Sequence, residues 1–249
     1  MPPKAVVGVI HLPPLPGSPR ALLTPDQIVE QAVGEARLLA ERGFDAILVE
    51  NFGDAPFVAG PVGPHVVAMM ARVASAVRAA VSVPVGCNVL RNDAAAALAV
   101  AAASGAGFIR VNVHTGVYAT DQGTIEGQAA DTLRFRKLLG RPVAILADVH
   151  VKHATPLSQP DLALAAEETA YRGLADALIV TGPTTGREAL LDDVGRVRAA
   201  VPDRPILVGS GVTPETLTAT LAVADGVIVG SALRRDGRPG QPLDPARLA

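Results

Sequence analysis

The sequence predicts a single eightfold parallel (β/α) barrel, and three observations lead there. Runs rich in Val and Ile recur along the chain and alternate with Ala/Leu/Arg/Glu stretches of helical spacing, the signature of repeated βα units. Eight such runs can be counted, enough to close a barrel, whereas an open doubly wound sheet usually has fewer. The length, 249 residues with 49% hydrophobic, suits one barrel domain spanning 1–249. Aromatic residues make up only 3% and Trp is absent, so the core must be built from Ala, Val, Leu and Ile, which suit helices packed on a parallel sheet.

The expected strands are Ala5–Leu12, Ala46–Asn51, Val83–Leu90, Phe108–His114, Ala144–Lys152, Ala177–Gly182, Ile206–Val212 and Gly226–Ala232. Helices are expected at about 26–42, 65–80, 93–104, 125–139, 161–173, 188–200 and 214–221, several opening on Pro-Asp, Asn-Asp or Thr-Pro start signals. Gly43, Gly105 and Gly173 stand where helices end, as C-caps before short turns into the next strand. After the last strand, Gly237, Pro239, Gly240 and Pro242 forbid helix until Asp244-Pro245. The eighth helix is therefore expected to be a stub, a gap that a partner subunit of a homo-oligomer is suited to cover.

Composition excludes several function classes. A formal charge of −2 with dispersed Lys and Arg offers no basic stripe for a nucleic-acid polymer. Ala94–Phe108, the longest nearly uncharged run, is too short to cross a bilayer and is broken by Ser104, Gly105 and Gly107, so no integral membrane segment is expected. Cys87 is the single cysteine and no signal-peptide pattern opens the chain, which points to the cytoplasm.

Alternation along a strand places Arg110, Asn112 and His114 on one face of strand four, and Asp148, His150 and Lys152 on one face of strand five. Buried charges are costly unless paired, so these neighbours imply a polar pocket at the carboxyl ends of the strands, where barrel enzymes keep their active sites. His11, Glu50 and Asn88, late in strands one to three, extend it. Lys152 is the candidate amine or electrophile, Asp148 a candidate acid or base, and Glu50 an alternative base across the pocket, with Arg110 between them. A second chemistry is open to the same residues: Glu50, Asp148, His114, His150 and His153 are of types that ligate a divalent metal, although no specific zinc signature is present, and the sequence marks no other cofactor.

Strand seven ends on Gly209-Ser210-Gly211 and strand eight on Gly230-Ser231. Small residues in these two loops let backbone N–H groups approach an oxyanion, and in this fold they commonly hold phosphate. Thr181–Gly186 after strand six adds either a hydroxyl-rich wall or an ordinary loop. The proline-rich loop His11–Arg20 is either a wall over the site, with Arg20 aimed at an anion, or a stiff connector.

Six runs carry a resemblance: Val7–Pro19 (VGVIHLPPLPGSP), Glu50–Phe57 (ENFGDAPF), Asn88–Asp93 (NVLRND), Phe108–Val113 (FIRVNV), Val151–Ala154 (VKHA) and Gly209–Val212 (GSGV). In order and across nearly the whole chain, they resemble the BtpA family. That resemblance implies a barrel of the ribulose-phosphate-binding type and a link to photosystem I biogenesis, without an established reaction; relatives continue further beyond Asp244-Pro245. Two functions follow as expectations: a lyase, isomerase or epimerase acting on a small phosphorylated sugar or related metabolite, or a non-catalytic assembly and stability factor. The polar rim favours the enzyme.

Overall fold

A computed structural model of the chain describes residues 2–159, 161–181 and 191–248. Its strands are β1 (Ala5–His11), β2 (Ala46–Glu50), β3 (Val85–Asn88), β4 (Phe108–Val111), β5 (Val117–Thr120), β6 (Gly123–Glu126), β7 (Ala144–Val149), β8 (Ala154–Pro156), β9 (Ala177–Val180), β10 (Ile206–Val208) and β11 (Gly226–Val229). Eight of them close a parallel barrel in the order β1-β2-β3-β4-β7-β9-β10-β11 and back to β1, as the periodicity predicts. Around it lie α1 (Pro25–Glu41), α2 (Pro64–Ala80), α3 (Ala94–Ser104), α4 (Ala129–Leu139), α5 (Leu162–Glu167, continued by a π-helical turn to Arg172), α6 (Leu191–Ala200) and α7 (Pro214–Val223).

Local chemistry sets the helix ends. Thr24 and Gln27 form a reciprocal capping box at α1, with Pro25 in the first turn, and Asp93 caps α3 by accepting from the Ala96 N–H at 2.8 Å. Gly105 ends α3 in the left-handed region, φ 74°, as its position predicts. Gly173 differs: its φ is −79° and Leu174 takes the positive value, so this glycine serves close approach instead, a Cβ there lying 2.8 Å from the Thr169 carbonyl oxygen and from Thr115 Cγ2.

An aspartate before a strand does more than turn the chain. Asp45, Asp176 and Asp225 each donate their N–H to a carbonyl on the neighbouring strand and accept, through Oδ2, the N–H of that same neighbouring residue. The partners are Val6, Ile145 and Ile206, with the three side-chain bonds all 2.8 Å long. Each such bond contributes about 0.5–1.5 kcal/mol and fixes strand register at the amino end of the barrel.

Inside the barrel, Val7, Val9, Leu48, Phe108, Leu146, Ile179, Leu207 and Ile228 belong to one buried apolar cluster. Gly86 makes room for the Phe108 ring, whose Cε2 would lie 2.2 Å from a Cβ at that position. Two residues further along each strand stand His11, Glu50, Asn88, Arg110, Asp148, Thr181, Gly209 and Gly230, every one polar or glycine. The apolar plug thus ends where the polar layer begins, a consequence of the two-residue strand period.

One small sheet was not expected. β5, β6 and β8, inserted after the fourth and fifth barrel strands, form a separate antiparallel sheet in the order β6-β5-β8. Tyr118 and Ile125 of this sheet cluster with Val113 and Val151, which follow β4 and β7, so the sheet packs at the carboxyl end of the barrel. The helix expected from 125 accordingly starts only at Ala129. The eighth helix is indeed reduced, to a 3-10 turn at Pro245–Leu248. The segment before it is clipped to the barrel by Arg234, 1% exposed, which donates to the Val9 carbonyl at 2.9 Å and pairs with Glu35 of α1 at 3.1 Å.

Candidate active site

One cavity of about 800 Å3, counting the space at its mouth, opens at the carboxyl ends of the barrel strands. His11, Glu50, Asn88, Arg110, Asn112, Lys152, Gly209, Ser210, Gly211, Gly230 and Ser231 all line it. Asp148 does not: its side chain lies beneath, fully buried, with both oxygens engaged. Arg110 grips Asp148 at 3.1 Å through Nε and Nη2, and Asn112 Nδ2 donates to Oδ2 at 2.8 Å. On its other side Arg110 reaches Glu50 Oε1 at 3.3 Å, the same oxygen that accepts from Asn88 at 3.0 Å. Such a bidentate, charge-assisted pair fixes the guanidinium plane and offsets its burial.

Lys152 stands past the end of β7, in the turn that leads into β8. Burial, and then the positive charge of Arg110, bring its amine down to a pKa of about 8, against the opposing pull of Glu50 and Asp148. Among the described residues it forms no ion pair. Such an amine is about one-tenth unprotonated at pH 7, far more than an ordinary lysine, and the unprotonated form is the one that attacks as a nucleophile.

His11 stacks on Phe52 at 4.3 Å between ring centroids and accepts, through Nδ1, the N–H of Gly240 at 3.3 Å. That bond leaves the proton of the neutral ring on Nε2. Burial, followed by the charges of Arg234, Lys152 and Arg110, holds its pKa well below the usual histidine value.

Facing the charged side are the two small-residue loops. Gly209 is packed so closely that a Cβ would lie 2.5 Å from Ile179 Cγ2 and 2.9 Å from Thr181 Cγ2. After Gly230, the N–H groups of Ser231 and Ala232 begin a 3-10 turn, where no preceding carbonyl of that turn is available to them.

Other expectations change. His114 and His150 leave the strand alternation: Nε2 of His114 bonds the Gly173 carbonyl at 2.8 Å, and His150, at φ 51°, bonds the Gln159 carbonyl at 2.9 Å. They are not brought together with Glu50 and Asp148, and among the described residues no three His, Cys, Asp or Glu side chains converge on a metal position. Pro13–Arg20 does not line the cavity; it packs on the turn at Phe52–Asp54, with Leu15 N–H bonded to Asp54 at 2.7 Å. Of Thr181–Gly186, Thr181 is half-buried and 182–186 lie outside the described residues, as does the start of the helix expected from 188.

Among the liners that sequence reasoning missed are Phe52, Phe57 and Arg91. Arg91 is 7% exposed, and its one visible signal was a cation set among the turn residues Asn88, Asn92 and Asp93 at the end of strand three.

The model of the BtpA family matches residues 2–249. The chain belongs to the BtpA family. Among its relatives is the photosystem I biogenesis protein BtpA of Synechocystis, 48% identical over 98% of this chain and 85% of that one. An uncharacterized protein of Pyrococcus furiosus is 44% identical over 96% of this chain and 90% of its own length. Phosphoribosyl anthranilate isomerase of Thermus thermophilus superposes with a TM-score of 0.58 at 16% identity, covering 98% of this chain and 94% of the isomerase, which places the BtpA family fold among (β/α)8 barrels. No helix among the described residues of this BtpA-family chain is long and apolar enough to cross a membrane.

Proposed function

We propose that this BtpA-family barrel is an enzyme of lyase, isomerase or epimerase type that takes a small phosphorylated sugar or related carbonyl metabolite. The observation that carries the reading is the opposition, in one cavity, of an amine titrating at about 8 and the small-residue loops Gly209–Gly211 and Gly230–Ser231. Arg110, Arg91 and Lys152 outnumber Glu50 as charged liners, which suits an anionic substrate.

In this reading the phosphate sits against the two loops and the carbonyl carbon faces Lys152. The unprotonated amine adds to the carbonyl, water leaves, and the resulting iminium accepts the electron pair from a neighbouring C–C or C–H bond. Cleavage of the first makes a lyase; loss of the second to Glu50 makes an isomerase or epimerase. Asp148 acts through Arg110 and Asn112, which it orients from below.

The test is borohydride trapping with glyceraldehyde 3-phosphate, with unphosphorylated glyceraldehyde for comparison, read by peptide mass spectrometry. Lys4, Lys137 and Lys152 are the chain's lysines, so assignment is direct. The expected result is an adduct at Lys152 that inorganic phosphate competes away and that Ser210→Asp weakens at least tenfold. Equal labelling of all three lysines overturns the amine; equal trapping of the two aldehydes overturns the phosphate site. The Synechocystis relative's name supports a second reading, an assembly factor. That reading requires Lys152→Met to leave the cellular phenotype intact.

A further inference from the structure

Lys152 is not held by a strand. β7 ends at Val149, and two residues of the turn that carries the lysine, His150 and His153, adopt φ values of 51° and 59°, in the left-handed region that non-glycine residues seldom enter. A turn of this kind needs contacts from outside itself to stay in one conformation. Arg91 provides them: its Nη2 donates to the Lys152 carbonyl at 2.7 Å, and its Nη1 reaches the His153 carbonyl at 3.5 Å.

The arginine is itself fixed on both sides. Asn51 accepts the Leu90 N–H at 2.6 Å and donates to the Leu90 carbonyl at 3.2 Å. Asn92 clasps Val113 in the same manner, accepting its N–H at 2.6 Å and donating to its carbonyl at 2.8 Å. Leu90 and Asn92 are thus pinned to β2's end and β4's end, and the guanidinium between them has a set origin. Its far edge also reaches Asp121 Oδ1 at 3.3 Å and Gln122 Oε1 at 3.2 Å, at the tip of the β5–β6 hairpin.

We propose that Arg91 is the positioning residue of Lys152: its fork onto the Lys152 and His153 carbonyls sets where the amine enters the cavity. The inference rests on the reading of Lys152 as the reacting amine. A purely electrostatic effect would act at a distance through any cation, whereas the fork requires the planar, two-ended donor that arginine has and lysine lacks. The positive charge of Arg91 adds to the depression of the amine's affinity for protons, in the same direction as burial and Arg110.

The experiment is competitive acetylation of the intact protein across pH, with Lys152 read by mass spectrometry against Lys4 and Lys137 as internal references. The parent midpoint is expected at about 8. Arg91→Met is expected to raise it by at least one pH unit, and Arg91→Lys to restore little of the shift. Arg91→Gln, which keeps one amide donor, serves if the methionine variant does not fold, with the same upward direction expected. A parent midpoint at the ordinary lysine value overturns the amine reading. A parent midpoint near 8 that folded Arg91→Met or Arg91→Gln leaves in place overturns the positioning role, and so does full recovery in Arg91→Lys.

Discussion

Arg110 and Asp148 meet through two parallel hydrogen bonds, each 3.1 Å long, in a position where neither side chain is more than 4% exposed. Removing Arg110 leaves Asp148 a buried carboxylate without a cation, and removing Asp148 leaves Arg110 buried with only the longer 3.3 Å contact to Glu50 in place of a two-ended grip. Asp148→Ala is therefore expected to lower unfolding free energy by about 3–5 kcal/mol, read from the urea midpoint at constant m. Asp148→Asn is expected to cost less, because it keeps an oxygen for the guanidinium. A loss under about 1 kcal/mol in the alanine variant contradicts the pairing as described.

Histidine burial sets the acid limit. His11 and His114 both have pKa values lowered in the folded state, each chiefly by burial. The unfolded chain then binds more protons below the ordinary histidine value, so stability is complete above about pH 6.5 and falls as pH drops below it. Urea midpoints measured at about pH 7.5 and 5.5 are expected to show that fall. In His11→Gln, which cannot titrate, the fall is expected to shrink; an unchanged slope contradicts His11's share.

Two glycines of the same barrel should respond oppositely to alanine. Gly34, inside α1, has nothing within 4 Å of a built Cβ, and Gly34→Ala is expected to stabilise by about 0.5–1 kcal/mol. Gly86→Ala drives a methyl into the Phe108 ring, with a first contact of 2.2 Å. It is expected to destabilise by about 1–3 kcal/mol. Thermal melts of the two variants beside the parent check both signs.

The barrel was legible because each unit repeats the same physics: a β-branched run, a helix with a start signal, and a glycine or aspartate before the next strand. The polar layer was legible as far as the strand period lasts. Beyond β4 and β7 the chain leaves extended geometry, and alternation still finds Asn112 and Lys152 while misplacing His114 and His150. The small sheet was hidden because β5 and β6 are four residues each and mix Thr, Gly and Glu with few apolar positions. Arg91 carried no periodic signal; its importance comes from backbone carbonyls it reaches across the fold, which no spacing encodes.

The turn bearing Lys152 continues directly into β8, an outer strand of the small sheet. The amine and the small sheet are consequently joined by the shortest of backbone links, and Arg91 ties the same turn to the tip of the β5–β6 hairpin through Asp121 and Gln122. A substitution that loosens the sheet therefore also loosens the backbone that carries the amine.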